Sequence, residues 1–88
     1  MKMIEYVLNR DWGSDLSATG PLVKMAGGLS SLVQIYCASS GKGGNLGDIT
    51  MMGTTLGAKR GDTVCISVTG RKEEADARAV ERYLRSNM

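Results

Sequence analysis

The sequence has no histidine, no phenylalanine, one proline and one tryptophan among 88 residues. The missing imidazole excludes His-based acid/base catalysis, His metal ligation and phosphohistidine transfer at once. Two cysteines, Cys37 and Cys65, are too few for a disulfide scaffold or a Cys-only zinc site. Both lie in apolar, strand-like runs, so buried free thiols are expected. No apolar run approaches the ~18 residues of a membrane span. Residues 1–9, with Lys2, Glu5 and no small-residue cleavage site, do not read as a signal peptide. Neither sign of charge dominates: 11 Lys+Arg against 9 Asp+Glu give +2, and no basic run exceeds the pairs Lys59-Arg60 and Arg71-Lys72. That balance argues against nucleic acid or an anionic membrane as partner.

What is present is ordinary globular composition, 42% hydrophobic and 23% charged. The length suits one domain spanning 1–88, and a cytoplasmic location is expected. Residues 3–8 form a short apolar run of strand length, closed by the turn formers of residues 9–13. Leu22, Val23, Met25, Ala26 and Leu29 recur at helical spacing. Ser17 or Thr19 can cap that helix, Pro21 suits its first turn, and Gly27-Gly28 ends it. Residues 32–37 are rich in β-formers and read as the second strand. A loop is expected over residues 38–44, leaving Asn45-Leu46-Gly47 as a poor third strand. Asp48 precedes Ile49, Met51, Met52 and Leu56, which fits a short Asp-capped helix with Gly57 just past its end. Residues 63–69 alternate Val64, Ile66 and Val68 as the clearest strand. From about Lys72 to Asn87, Ala77, Val80, Tyr83 and Leu84 line an amphipathic helix. The order is β-α-β-β-α-β-α, an α+β layer of helices on one sheet face.

No catalytic constellation emerges from spacing. Gly41-Lys42-Gly43-Gly44 fails as a phosphate loop: Tyr36 and Gly43 stand where a Walker pattern needs Gly and Ser/Thr. Glu73, Glu74 and Asp76 complement the start of the last helix rather than forming an acid/base pair. Met51-Met52 reads as half-buried packing, with an adaptable partner surface as its alternative. No nucleophile-base pair is visible, and no metal or cofactor is called for.

Several strings, taken in order, resemble the HPr family, small phosphocarriers of the bacterial phosphoenolpyruvate sugar phosphotransferase system. Gly13, Leu22-Val23-Lys24-Met25-Ala26, Gly28-Leu29 and Val33-Gln34-Ile35 resemble its active-site glycine, first helix and second strand. Ser40-Gly41-Lys42 resembles its Asn-Gly-Lys hairpin. Leu56-Gly57, Gly61, Thr63-Val64-Cys65-Ile66-Ser67 and Gly70 resemble the end of its second helix and its fourth strand. The resemblance implies an open-faced β-sandwich, four antiparallel strands covered on one face by three helices. It also places the fourth strand between the first and second, with the last helix beside the first.

The departure falls where the family carries Gly-Leu-His-[Ala/Thr]-Arg-Pro, whose His takes phosphate from enzyme I. Ungapped, Asp15 stands at the His and Ser17 at the Arg; gapped, Ser17 stands at the His. The family's regulatory serine, counted forward from Gly41-Lys42, falls on Asp48, and counted back from Leu56-Gly57 on Ile49. At Asp48 a fixed charge would imitate part of a phosphoserine, or serve as a plain N-cap. The resemblance thus implies a His-lacking, non-enzymatic relative that binds phosphotransferase-system proteins or a carbon-regulation factor through its first two helices, at Asp15, Ser17, Asp48, Ile49 and Met51. Three alternatives stay open: a ferredoxin-like small-molecule-binding regulatory domain, a phosphocarrier using Asp15 or Ser17, and chemistry at Cys37 or Cys65.

Overall fold

The computed structural model describes residues 1–13, 16–53 and 55–88. Its elements are β1 (Lys2–Val7), α1 (Leu16–Gly28), β2 (Leu32–Cys37), β3 (Lys42–Asn45), a single 3-10 turn η1 (Ile49–Met52), β4 (Thr63–Thr69) and α2 (Glu73–Asn87). The strands form one antiparallel sheet in the order β1-β4-β2-β3. β4 therefore lies between β1 and β2, as the resemblance requires, and the ferredoxin-like alternative is set aside.

β2 and β4 take the bounds their β-branched alternation predicts, because a pleated strand sends successive side chains to opposite faces. Ile66 stands opposite Ile4 on one side and Ile35 on the other. These three, with Val33, Cys37, Val64 and Val68, make the buried face. Leu22, Val23 and Ala26 of α1 and Ala77, Val80 and Leu84 of α2 close the core over it. The other face is open: Met3, Leu32 and Tyr36 are exposed on it, beside Gln34 and Ser67. Cys65 points there too and is only half-buried, so the expected burial holds for Cys37 alone. The register that buries Val64 and Ile66 turns the residue between them outward.

Three elements differ from the expectations. α1 begins at Leu16, so Ser17 and Thr19 lie within it rather than capping it, and Pro21 is internal. Pro21 has no N–H to offer the carbonyl of Ser17, a defect that usually costs about 3 kcal/mol inside a helix. Tertiary bonds hold this turn instead: Tyr83 Oη donates to the carbonyl of Ala18, and Thr19 Oγ1 donates 2.9 Å to the carbonyl of Met52. β3 occupies Lys42–Asn45, where a loop was expected. At Gly43 an added Cβ would sit 2.5 Å from the carbonyl oxygen of Ile35, so the absence of a side chain is what lets this edge strand approach β2. The second helix shrinks to one 3-10 turn, so the sheet is covered by two α-helices and η1 rather than by three full helices.

The acidic start of α2 has tertiary partners that macrodipole reasoning does not reveal. The Met1 amine lies 2.6 Å from Glu73 and, by bonding its carboxylate, holds that carboxyl below its ordinary range. Lys2 lies 3.4 Å from Glu74. Asp76 is buried and accepts from the backbone N–H of Ser31 (3.2 Å), the Ser31 hydroxyl and, at 3.4 Å, the Ser30 hydroxyl. It thereby joins α2 to the turn between α1 and β2.

Two outcomes follow from this packing. Asp76→Ala strands the Ser31 donors in a buried place and should lower stability by about 1–3 kcal/mol, read as a lower urea midpoint at unchanged slope; an unmoved midpoint would remove Asp76 from the tie. Gly43→Val should destabilise by a similar ~1–3 kcal/mol through overpacking and erase the NMR cross-strand contacts between β2 and β3 while leaving those between β1 and β4.

Candidate functional site

Of the residues expected to carry function, Ser17 stands in the first turn of α1, where the loop after β1 feeds it, and Asp48, Ile49 and Met51 lie at η1, which packs along the same helix. The loop is pinned before it reaches the helix. The Leu8 N–H donates to the carbonyl of Asp62 (3.0 Å), Gly61 N–H to Leu8 (2.9 Å), Trp12 N–H to Ala58 (2.9 Å) and Arg60 N–H to Asp11 Oδ1 (2.8 Å). Gly13 then takes φ +80, a left-handed conformation that glycine adopts without strain. Of the expected site residues, Asp15 lies outside the described residues.

η1 is too short to satisfy its own backbone, and its last three carbonyls are each taken by a side chain from elsewhere. Thr55 Oγ1 donates to Thr50 (2.6 Å), Trp12 Nε1 to Met51 (2.7 Å) and Thr19 Oγ1 to Met52 (2.9 Å). Orphan carbonyls at a helix end need such partners. Trp12 is buried, so its indole N–H also needs an acceptor. The single Trp of a Phe-free chain thus serves as a strut between loop and turn. At the other end, Asp48 caps η1 by accepting from the N–H of Thr50 at 3.0 Å.

Ser17 and Asp48 are exposed, as a surface role requires, and Ile49 is 72% exposed. Met51 is not: its side chain is buried in the core, so it supports η1 from beneath and cannot meet a partner directly. Ile49 and Met51 stand two residues apart, about 240° around a 3-10 turn, so they face different sides and only Met51 meets the core. Leu16, not singled out from the sequence, is 56% exposed at the start of α1. A large apolar side chain opening a helix before its buried stripe begins was the available signal.

Chemically, the described residues offer the Ser17 hydroxyl beside exposed Leu16 at the start of α1 and, at its other end, where Asp48 lines a hollow with Ala26 and Gly27, the Asp48 carboxylate next to exposed Ile49. No group of three His, Cys, Asp or Glu poised for a metal occurs among the described residues. The Glu73 shift lies at the start of α2, whereas it is Tyr83, near the other end, that reaches the first turn of α1. No described helix is long and apolar enough to cross a membrane.

Similar structures share the whole arrangement. HPr-C-His from Thermoanaerobacter tengcongensis superposes with a TM-score of 0.83 at 23% identity, covering 99% of this chain and 94% of that one. The histidine-containing phosphocarrier protein of Mycoplasma gives 0.82 at 20% identity, covering 97% and 93%. A phosphocarrier protein HPr from Bacillus anthracis gives 0.71 at 19% identity, covering 96% and 99%. At these identities the superpositions establish the fold. No curated protein matches the chain significantly. The family model for the PTS HPr component phosphorylation site matches residues 3–86, nearly the full chain, which therefore belongs to the HPr phosphocarrier family of the phosphotransferase system.

Proposed function

We propose that this chain is a single-domain, cytoplasmic HPr relative that works by binding proteins of the phosphotransferase system or of carbon regulation, not by carrying phosphate and not as an enzyme. The observation that carries the reading is the absence of histidine from all 88 residues beside a surface built for contact, with Leu16 and Ile49 exposed on adjoining elements. Exposed apolar side chains rimmed by polar ones are what a protein interface uses at its centre. Ser17 and Asp48 supply that rim, and Asp15 is assigned to it from the sequence alone. Asp48 adds a fixed negative charge at the position one alignment gives to the regulatory serine.

The rival, a carrier using Asp15 or Ser17, makes an opposite prediction. Incubation with enzyme I and radiolabelled phosphoenolpyruvate, followed by intact-mass measurement at neutral pH, should leave the chain unlabelled. Label on Asp15 or Ser17 would overturn the binding-only reading. Added in excess to a reconstituted system containing a His-bearing HPr, the chain should slow sugar phosphorylation by competing for docking sites. Ile49→Asp places a charge in the apolar centre and should raise the concentration needed for half-inhibition at least ~10-fold, about 1.4 kcal/mol. An unchanged value would move the docking face elsewhere.

The strut can be tested separately. Trp12→Phe keeps most of the buried ring but strands the Met51 carbonyl, at a cost of about 1–3 kcal/mol. Hydrogen exchange of the η1 amides should accelerate more than that of the β4 amides; equal acceleration would mean that Trp12 stabilises the whole fold without a particular hold on η1.

A further inference from the structure

The outward face of α2 carries a basic stripe that the α1 and η1 surface does not use. Arg78, Arg82 and Arg85 stand at i, i+4 and i+7, within about 60° of one another around the axis and spread over about 10 Å of helix. All three are exposed. They line one shallow concavity together with Glu81, and Arg85 also lines the adjoining one with Arg10 and Asn9. The only described ion pair within the stripe is a loose one, Arg85 to Glu81 at 3.8 Å, with both side chains largely in solvent. The other acids of the helix are engaged elsewhere, Glu73 by the Met1 amine, Glu74 by Lys2 and Asp76 by Ser31. Charge is thus uneven along α2: the acids of its first turn have partners within the fold, and from residue 78 onward the helix carries three arginines against Glu81 alone.

We propose that this face docks an acidic segment of a partner protein, its carboxylates spaced to meet the three guanidinium groups. Arginine suits this task because its planar fork grips a carboxylate through two hydrogen bonds. Charge and geometry select a protein over the other polyanions. The exposed large apolar residues, Met1, Met3, Val7, Leu16, Leu32, Tyr36 and Ile49, all lie off α2, so this face has nothing to insert into a lipid surface. A stripe of ~10 Å containing one carboxylate, on a chain of net charge +2, is too short to track a nucleic-acid backbone. The proposal goes beyond the α1 and η1 surface, adding a second docking face to the same small fold.

The probe is a labelled 14-residue helical peptide bearing Glu at i, i+4 and i+7, titrated into the intact chain at low salt, with its Gln counterpart as control. The amides and side-chain Nε–H signals of Arg78, Arg82 and Arg85 should shift, and those of Leu16 and Ile49 should not. Arg78→Gln/Arg82→Gln should weaken binding at least ~10-fold, and added salt should weaken it further. Ile49→Asp should leave it unchanged, which separates a failure here from a failure of the α1 and η1 reading. Three outcomes would overturn the proposal: equal binding of the Gln peptide, shifts centred on Lys59 and Arg60, or tighter binding of phosphatidylglycerol vesicles or duplex DNA than of the acidic peptide. Absence of any binding would overturn it as well.

Discussion

Everything in this fold waits on β4. The strand that arrives sixth among the seven elements must enter between β1 and β2, which have no hydrogen bonds to each other without it. Ile66 at its centre faces Ile4 and Ile35 at once, so a single register on one strand fixes two pairings and assigns every side chain to core or solvent. The same insertion closes the longest loop within the sheet, between β1 and β4, an entropic cost that local contacts alone would not offset. The bonds from residues 58–62 back to residues 8–12 extend that closure past the sheet edge. The approach to α1 is therefore held by the strand pairing together with the Trp12 strut to η1.

That dependence explains which parts of the structure were legible in the sequence. β2 and β4 are legible to their true bounds, β2 from its richness in β-formers and β4 from the alternation of Val64, Ile66 and Val68. α2 was nearly so, because its apolar stripe stands out against a charged surface. β3 was not: Lys-Gly-Gly-Asn contains no β-former, and its strand state is imposed by β2, which needs a partner slim enough to lie against Ile35 and Tyr36. The start of α1 was misjudged because Pro21 suggests a first turn, while the bonds that carry the helix past it come from Tyr83 and Met52, distant in sequence. Local propensity is a weak prior wherever a tertiary contact decides the matter.

The site was legible in position more than in mechanism of support. Asp48 is legible as a cap and, with Ile49, as one of two places for the family's regulatory serine, whereas the exposure of Ile49 and the burial of Met51 come only from the structure. The donors that hold η1, Trp12, Thr19 and Thr55, carry no motif; each looks ordinary until the geometry of three orphan carbonyls is known. Asp76 is the same lesson in charge: a helix-start carboxylate by pattern, a buried acceptor for the Ser31 donors in fact.

These supports also bear on the proposed reading, a phosphocarrier fold kept for docking. The bonds that fix the α1 and η1 surface use an indole N–H, a tyrosine hydroxyl, two threonine hydroxyls and an aspartate cap. None of these bonds involves residue 14 or 15, so under the proposed reading the shape offered to a partner and the chemistry offered to a phosphoryl group are separable. Selection acting on docking alone can then preserve the scaffold, while a site that must also bind and release an anion requires both a nucleophile and a positively charged neighbour. On the proposed alignment, Asp15 or Ser17 would meet a phosphoryl group with acid or neutral hydroxyl instead of imidazole and guanidinium, which disfavours carriage there and leaves docking through the described supports unaffected.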